Sequence, residues 1–301
     1  MSRPGGRATP AAPERAIWVA GRVVRGSEAA LSLFDRGARD GEGLFETLRI
    51  YDGRPFLWHR HLERLVLAAA ELGFPVPPAP ARLAAALAEL LAAESLREAA
   101  ARITVTRGVA GVRPGRPGLW IEAEPIAGRL WKGTRSGAAR VFVSRRPFPS
   151  GPFGRYKTTS RLAYHLARDE ARAARADEAL LVTPLGEVLE GSTSNVFAVL
   201  GGELVTPPLD SCVLPGITRA CVLELSRTLG LAVRERPIAL DELLAAREIF
   251  LTNSLQEIVP VGWLEDREIP ERTLAPRLLE AYREAVARSR ESLTRALDPH
   301  A

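Results

Sequence analysis

Lys157 is one of very few lysines in a chain that takes arginine as its usual cation, and it stands among hydroxyls in the run YKTTSR, just ahead of an Ala/Arg-rich amphipathic helix. A cation entering a helix N-terminus faces the positive end of the helix dipole, which serves structure poorly. A nearby positive potential and partial desolvation lower an amine's pKa and make it a nucleophile or base. An ordinary surface lysine is the other reading. Glu190 ends a strand 33 positions further on.

Other groups extend this inventory. In PGITRA (215–220), Gly216, Ile217 and Thr218 open a helix just after a proline. Their free N–H groups and the hydroxyl either hold a phosphate or simply cap the helix. Asn253 and Ser254, in LTNSLQE, form a second polar loop of the same kind. Arg64, in HRHLERL, is either the fixed cation a dianionic phosphate wants or a solvated face residue. After the strand ARITVTRG, the Gly/Pro-rich RGVAGVRPGRPG carries Arg107 and Arg113. These suit a substrate carboxylate, or they belong to a solvated surface loop.

The elements that position these residues follow from patterning. AIWVAGRVVRG reads as a hairpin, and a strand from Leu44 to Tyr51 leads into a tight turn at Asp52 and Gly53. HRHLERLVLAAAELGF is an amphipathic helix ended by Gly73, and a second helix runs from Ala81 to Leu96. With the strands ARITVTRG and LWIEAEPIA, this gives an α+β unit with antiparallel strands. From Ala138 the pattern begins again with RVFVSRRP, the Lys157 loop and its helix, and strands at EALLVT, EVLEGSTSN, NVFAVL and ELVTPP. The PGITRA helix, a strand in LGLAVRERPI, the helix and strand of DELLAAREIFLTNS and a closing helix complete the chain. The boundaries are a disordered tail at 1–14, a small α+β domain at 15–127, a linker at 128–137 and a larger domain at 138–301.

Composition narrows the class. Lys+Arg 41 against Asp+Glu 36 leaves a net +5, which suits a small anionic amino substrate. The arginines are dispersed along alternating-charge helices, which disfavours a nucleic-acid partner. Cys212 and Cys221 lack zinc or CxxC spacing, so no metal site is expected and reduced thiols in a cytoplasmic protein are. No uncharged apolar run reaches membrane-spanning length, and the N-terminus has no signal-peptide core.

Together these motifs resemble the class-IV aminotransferases, the fold-type IV pyridoxal-phosphate enzymes, from RGARDGEGLFETLR to TNSLQEIVPV. The resemblance implies a small α+β N-terminal domain and a larger pseudo-barrel α/β C-terminal domain, with pyridoxal 5'-phosphate between them and a homodimer as the usual assembly. It implies that Lys157 bonds to the cofactor, while Glu190 pairs with its ring nitrogen. Arg64, Ile217, Thr218 and Ser254 match phosphate-binding positions, and Thr193 and Asn253 match neighbours that pack or contact the cofactor.

Three branches of the family compete. Branched-chain aminotransferases carry a tyrosine where this chain has Leu162. D-amino-acid transaminases use a first-loop tyrosine, here Phe45, and an Arg-x-His pair after TRG, where this chain has arginines at 113 and 116 and no histidine. The pattern at Gly41 to Thr47, the K-x-x-x-R-L run at 157–162 and Asn253 resemble 4-amino-4-deoxychorismate lyase, a folate-pathway enzyme that releases pyruvate and 4-aminobenzoate. Thr47 is then either a proton relay to the leaving group or a β-branched residue suited to its strand. The lyase is placed ahead of an amino-acid transaminase.

Overall fold

The protein is represented by a computed structural model that describes residues 14–111, 118–148, 151–211 and 213–297, with side chains described as far as 289. The expected tail lies outside the described residues, apart from residue 14, as do Cys212 and Arg113.

The first half builds one sheet from β1 (Ala16–Val19), β2 (Arg22–Arg25), β3 (Gly43–Tyr51), β4 (Arg54–Pro55), β5 (Ala99–Thr106) and β6 (Leu119–Pro125). Its order is β2-β1-β6-β5-β3-β4, and every pairing is antiparallel. The helices are the single turn α1 (Arg36–Arg39), α2 (Trp58–Glu71) and α3 (Pro80–Ala93). Side chains alternate across a strand, so β3 has two distinct faces. Leu44, Leu48 and Ile50 pack with Leu62 and Leu65 of α2 and Leu83 and Leu87 of α3 in one core. Phe45 and Thr47, on the other face, line a cavity. The expected second helix, 81–96, ends earlier, with Glu94 as its C-cap.

The second half comprises α4 (Lys132–Ser136), β7 (Ala139–Val143), α5 (Leu162–Ala173), β8 (Glu178–Val182), β9 (Val188–Gly191), β10 (Asn195–Leu200), β11 (Glu203–Thr206) and α6 (Ile217–Thr228). It continues through β12 (Val233–Glu235), α7 (Leu240–Leu244), β13 (Glu248–Asn253), β14 (Glu257–Leu264), β15 (Arg267–Glu268) and α8 (Leu274–Leu297). The sheet order is β12-β11-β10-β13-β14-β7-β8-β9, with β15 on β14. Three pairings, β7–β8, β7–β14 and β11–β12, are parallel.

Alternate residues of its strands, among them Val141, Leu180, Val196, Leu251, Val259 and Val261, meet in a single apolar core. Strand β9 returns beside β10 through a turn in which Gly191 N–H donates to Ser194 O at 2.6 Å. This curled sheet is the pseudo-barrel. The intervening residues face outward: Ala179, Leu181 and Leu189 pack with Ala167 and Ala171 of α5. Phe197 and Phe250, stacked at 5.0 Å, pack with residues of α6 and α8. The architecture is α+β.

Two segments differ from the sequence reading. Residues 128–137, read as a linker, contain α4, and Trp131 is buried in the pseudo-barrel core. The Gln256 side chain accepts from Trp131 N–H (3.0 Å) and donates to Arg129 O (2.9 Å), tying this segment to the end of β13. Strand β14, to which the sequence reading gives no strand, contains Pro260, a residue that supplies no N–H to a ladder. It nevertheless lies between β13 and β7, with Pro260 opposite Phe250. No helix among the described residues is long and apolar enough to cross a membrane.

The N-terminus of α8 is held from below. The buried Glu248 carboxylate accepts from the N–H groups of Thr273 (3.1 Å), Leu274 (2.9 Å) and Ala275 (2.7 Å). Glu248→Ala strands those donors, so we expect a loss of about 2 kcal/mol in chemical denaturation, in the range of a lost charged cap. An unchanged denaturation midpoint would show that water replaces the carboxylate.

Candidate active site

Lys157 is placed by strand pairing rather than by a helix end. β4 covers only Ile50 and Tyr51 at the edge of β3, which leaves the first residues of β3 open. The segment 157–159 fills that edge: Phe45 N–H donates to Lys157 O (2.9 Å) and Thr159 N–H to Gly43 O (2.8 Å), with an antiparallel bridge between Leu44 and Thr158. The Thr159 and Ser160 hydroxyls both donate to Gly41 O, at 2.8 and 3.0 Å. A Cβ at Gly43 would lie 2.6 Å from Thr159 Oγ1, so the close approach requires glycine. Helix α5 begins only at Leu162, and the helix-dipole explanation for Lys157 is corrected accordingly.

The amine is tuned by its surroundings instead. Burial, the guanidiniums of Arg161 and Arg64, and only partial relief from Glu46 and Glu190 bring the Lys157 pKa down to about 7. Its Nζ lies 4.8 Å from the centre of the Phe45 ring. Glu190 is pushed up to about 7 by burial, against the Leu214 N–H, Arg161 and Lys157. Its Oε2 accepts from Leu214 N–H (3.0 Å) and Asn195 Nδ2 (3.2 Å). Oε1 has no hydrogen bond among the described residues. An amine and a carboxyl held near neutrality in one cavity of about 280 Å³ can exchange protons with a ligand at physiological pH.

One end of that cavity suits an anion. α6 opens at Gly216 with no side-chain cap, so its first N–H groups face outward unsatisfied by any side chain. A Cβ at Gly216 would collide with Asn195 Oδ1. Ile217, Thr218, Ser254 and Arg64 line the same space. Arg64 is less available than its type suggests. Its Nε and Nη2 donate to the buried Glu46 carboxylate at 2.7 and 2.6 Å, and Nη1 donates to Pro215 O at 2.8 Å, just before the α6 cap. Thr193 and Asn253 also line the cavity, yet their polar atoms bind protein. The Thr193 hydroxyl donates to Glu178 (2.6 Å), and Asn253 Nδ2 donates to Thr193 O (3.1 Å).

The candidate substrate residues divide. Phe45 and Thr47 are on the cavity wall. Arg107 is not: its guanidinium donates to Leu72 O (2.7 Å), pairs with Glu42 at 3.1 Å and stacks over Phe74, because the chain turns away from the cavity at the end of β5. Arg113 lies outside the described residues. The structure brings in two arginines that the sequence reading passed over. Arg102 is the cross-strand partner of Thr47 and sits 3.8 Å from the Phe45 ring centre. Arg161 lies 6.0 Å from the same ring and donates to Ser192 O at 2.6 Å. Glu46 and His61 were also missed. A charge at the second apolar-face position of β3 and a histidine one turn before Leu65 on the buried stripe of α2 were the available signals.

Comparison with known proteins agrees with this geometry. The sequence matches the amino-transferase class IV family over residues 43–262, and the chain belongs to that family. It is 36% identical over 259 residues to a putative branched-chain-amino-acid aminotransferase of Methanocaldococcus jannaschii, covering 84% of this chain and 89% of the relative. It is 31% identical to an aminodeoxychorismate lyase of Bacillus subtilis, with 83% of this chain and 87% of the relative covered. Among solved structures, a T.th. branched-chain amino acid aminotransferase complexed with N-(5'-phosphopyridoxyl)-L-glutamate superposes with a TM-score of 0.80. That pair shares 30% identity, with 91% of this chain and 94% of the other covered. The chain is thus similar to pyridoxal-phosphate enzymes of both the transferase and the lyase kind.

The lowered Lys157 pKa has a direct readout, because Lys132 is the only other lysine. In competitive acetylation of the ligand-free protein, labelling of Lys157 should rise with pH with a midpoint at about 7. An ordinary lysine amine continues to rise toward about 10.4. A midpoint for Lys157 near that ordinary value would contradict the electrostatic account.

Proposed function

We propose that the chain binds pyridoxal 5'-phosphate in this cavity and acts as a 4-amino-4-deoxychorismate lyase, releasing 4-aminobenzoate and pyruvate in the folate pathway. The residues fit the cofactor. The uncapped start of α6, with Ile217, Thr218 and Ser254, receives the phosphate, and Arg64 reinforces its positive potential while bracing the Pro215 turn. Glu190, with Oε1 lacking a protein partner, would accept a hydrogen bond from the ring N–H and keep that nitrogen protonated, and Lys157 would be the amine that holds the aldehyde carbon. Thr193 and Asn253 set the shape of the wall between them. When bound, the cofactor supplies an electron sink for the carbon bearing the substrate nitrogen.

The chain's own groups do the rest. Lys157, once the substrate amine has taken its place, would be a free amine positioned to take the proton from that carbon. The departing enolpyruvyl group requires a proton to leave as pyruvate, and the hydroxyl of Thr47, a residue of the cavity wall, would pass it. The position of Thr47 carries the lyase reading: it shares the wall with Lys157 and is paired across the strands with Arg102, which suits a carboxylate of the substrate. Transamination asks for no such donor at the leaving side. The homodimer and cytoplasmic location expected from the family belong to the same proposal.

A second reading is an amino-acid transaminase of the D-amino-acid or branched-chain type, favoured by the 36% identity to the archaeal relative named as a branched-chain aminotransferase. The test presents the holoenzyme with 4-amino-4-deoxychorismate and, separately, with D- and L-amino acids plus 2-oxoglutarate or pyruvate. Release of 4-aminobenzoate and pyruvate without amino transfer in the second arm is the expected result. Thr47→Val should slow that release about a hundredfold, the low end for a general acid, while retaining cofactor. Amino transfer with no 4-aminobenzoate would establish the transaminase instead.

A further inference from the structure

Beside the anion end of the cavity lies a buried chain of three side chains from three elements. Glu46 of β3 and His61 of α2 are almost wholly buried, at 1% and 2% exposure, and Glu46 Oε2 lies 2.7 Å from His61 Nδ1. On the far side of the ring, His61 Nε2 lies 3.4 Å from the hydroxyl of Ser254, which lines the cavity. Burial alone would raise the Glu46 carboxyl, but Arg64 and His61 overcome it and hold the carboxyl at about 2. Glu46 is therefore an anion, and the nitrogen facing it carries a hydrogen. Nδ1–H is fixed, and Nε2 is the only site on the ring whose state can change.

The state of Nε2 decides which way the Ser254 hydroxyl points. With a neutral ring, Nε2 is an acceptor, the hydroxyl donates to it, and the oxygen turns only lone pairs toward the cavity. A phosphate dianion meeting those lone pairs is repelled. With a protonated ring, Nε2–H donates to Ser254 Oγ, and the hydroxyl hydrogen is released to the phosphate. The charged groups facing His61 are Glu46 from β3, Arg64 from its own helix and Lys157 from the segment before α5, and Ser254 is its uncharged contact. Burial, Arg64 and Lys157 together outweigh Glu46 and keep the ring neutral until an anion arrives.

We propose that His61 is a positioning residue that takes up a proton from solvent when a phosphate dianion binds, turning the Ser254 hydroxyl from the imidazole to the phosphate. This rests on the reading of the α6 end as the cofactor's phosphate site and adds a proton linkage to it. Affinity for a phosphate-bearing ligand then falls as pH rises through the His61 pKa of the liganded state, by roughly tenfold per pH unit for one linked proton.

The experiment titrates ligand-free protein with pyridoxamine 5'-phosphate, which forms no bond to Lys157, in phosphate-free buffers of different ionisation enthalpy, and counts protons taken up on binding. Wild type should take up about one proton more than Ser254→Ala or His61→Gln at pH 7 to 8. In nitrogen-15 histidine spectra of the wild type, one of the four histidines should pass from the Nδ1–H tautomer to the doubly protonated form when the ligand is added. Equal proton counts with tight binding, or a His61 that stays neutral in the complex, would overturn the relay while leaving the phosphate site intact. No binding by the wild type would overturn the phosphate site and the relay together. His61→Gln is buried and can fail to fold, but Ser254→Ala and the wild-type spectra decide the outcome without it.

Discussion

Two backbone hydrogen bonds, Phe45 N–H to Lys157 O and Thr159 N–H to Gly43 O, hold Lys157 of the second half against the sheet of the first. They form because the edge of β3 is uncovered before Ile50 and because glycine at 41 and 43 lets the Thr159 and Ser160 hydroxyls close in. Backbone pairing fixes the direction of the lysine side chain more firmly than a surface loop does, since slipping by one residue would turn Lys157 to the opposite face. The two-faced character of β3 then separates the work. Its apolar face anchors the helices α2 and α3, and the other face offers Phe45 and Thr47 to the ligand.

The charge arrangement follows from the same packing. Burying Glu46 under α2 demands a cation and a further donor; Arg64 supplies the charge and His61 Nδ1–H the second hydrogen bond. Arg64 thereby also braces the turn that begins α6, so the positive end of the cavity is rigid before anything binds. At the other end, Glu190 is held through Asn195 and Leu214, which join it to that same turn. The lysine and the carboxyl reach similar pKa values near 7 from opposite directions, by burial in both cases. That is the balance proton transfer at neutral pH calls for. It comes from the cavity walls and not from the helix end that the sequence invited.

Much of this was legible in the sequence because the decisive signals were local. The strands and helices around Lys157, Glu190 and Gly216 follow from periodicity and turn residues, and the order of the motifs pointed to the family. What was not legible depended on contacts distant along the chain. Pro260 argues locally against a strand, yet neighbours on both sides hold β14 in the sheet. Trp131 and Gln256 lie far apart in sequence, so the apparent linker gave no hint that it is packed. Arg107, just past the end of β5, was indistinguishable by type from Arg102, which does face the ligand space. Only the strand register separates them, because Arg102 lies opposite Thr47 on the cavity side.

The central claim is that Lys157, and no other amine, is the group that bonds to the cofactor. Reducing the pyridoxal-phosphate-loaded protein with borohydride and mapping its peptides by mass spectrometry tests this directly, since the chain offers only Lys132 and Lys157. The account predicts a phosphopyridoxyl group on the Lys157 peptide alone. A label on Lys132, or no label on either lysine, would contradict it.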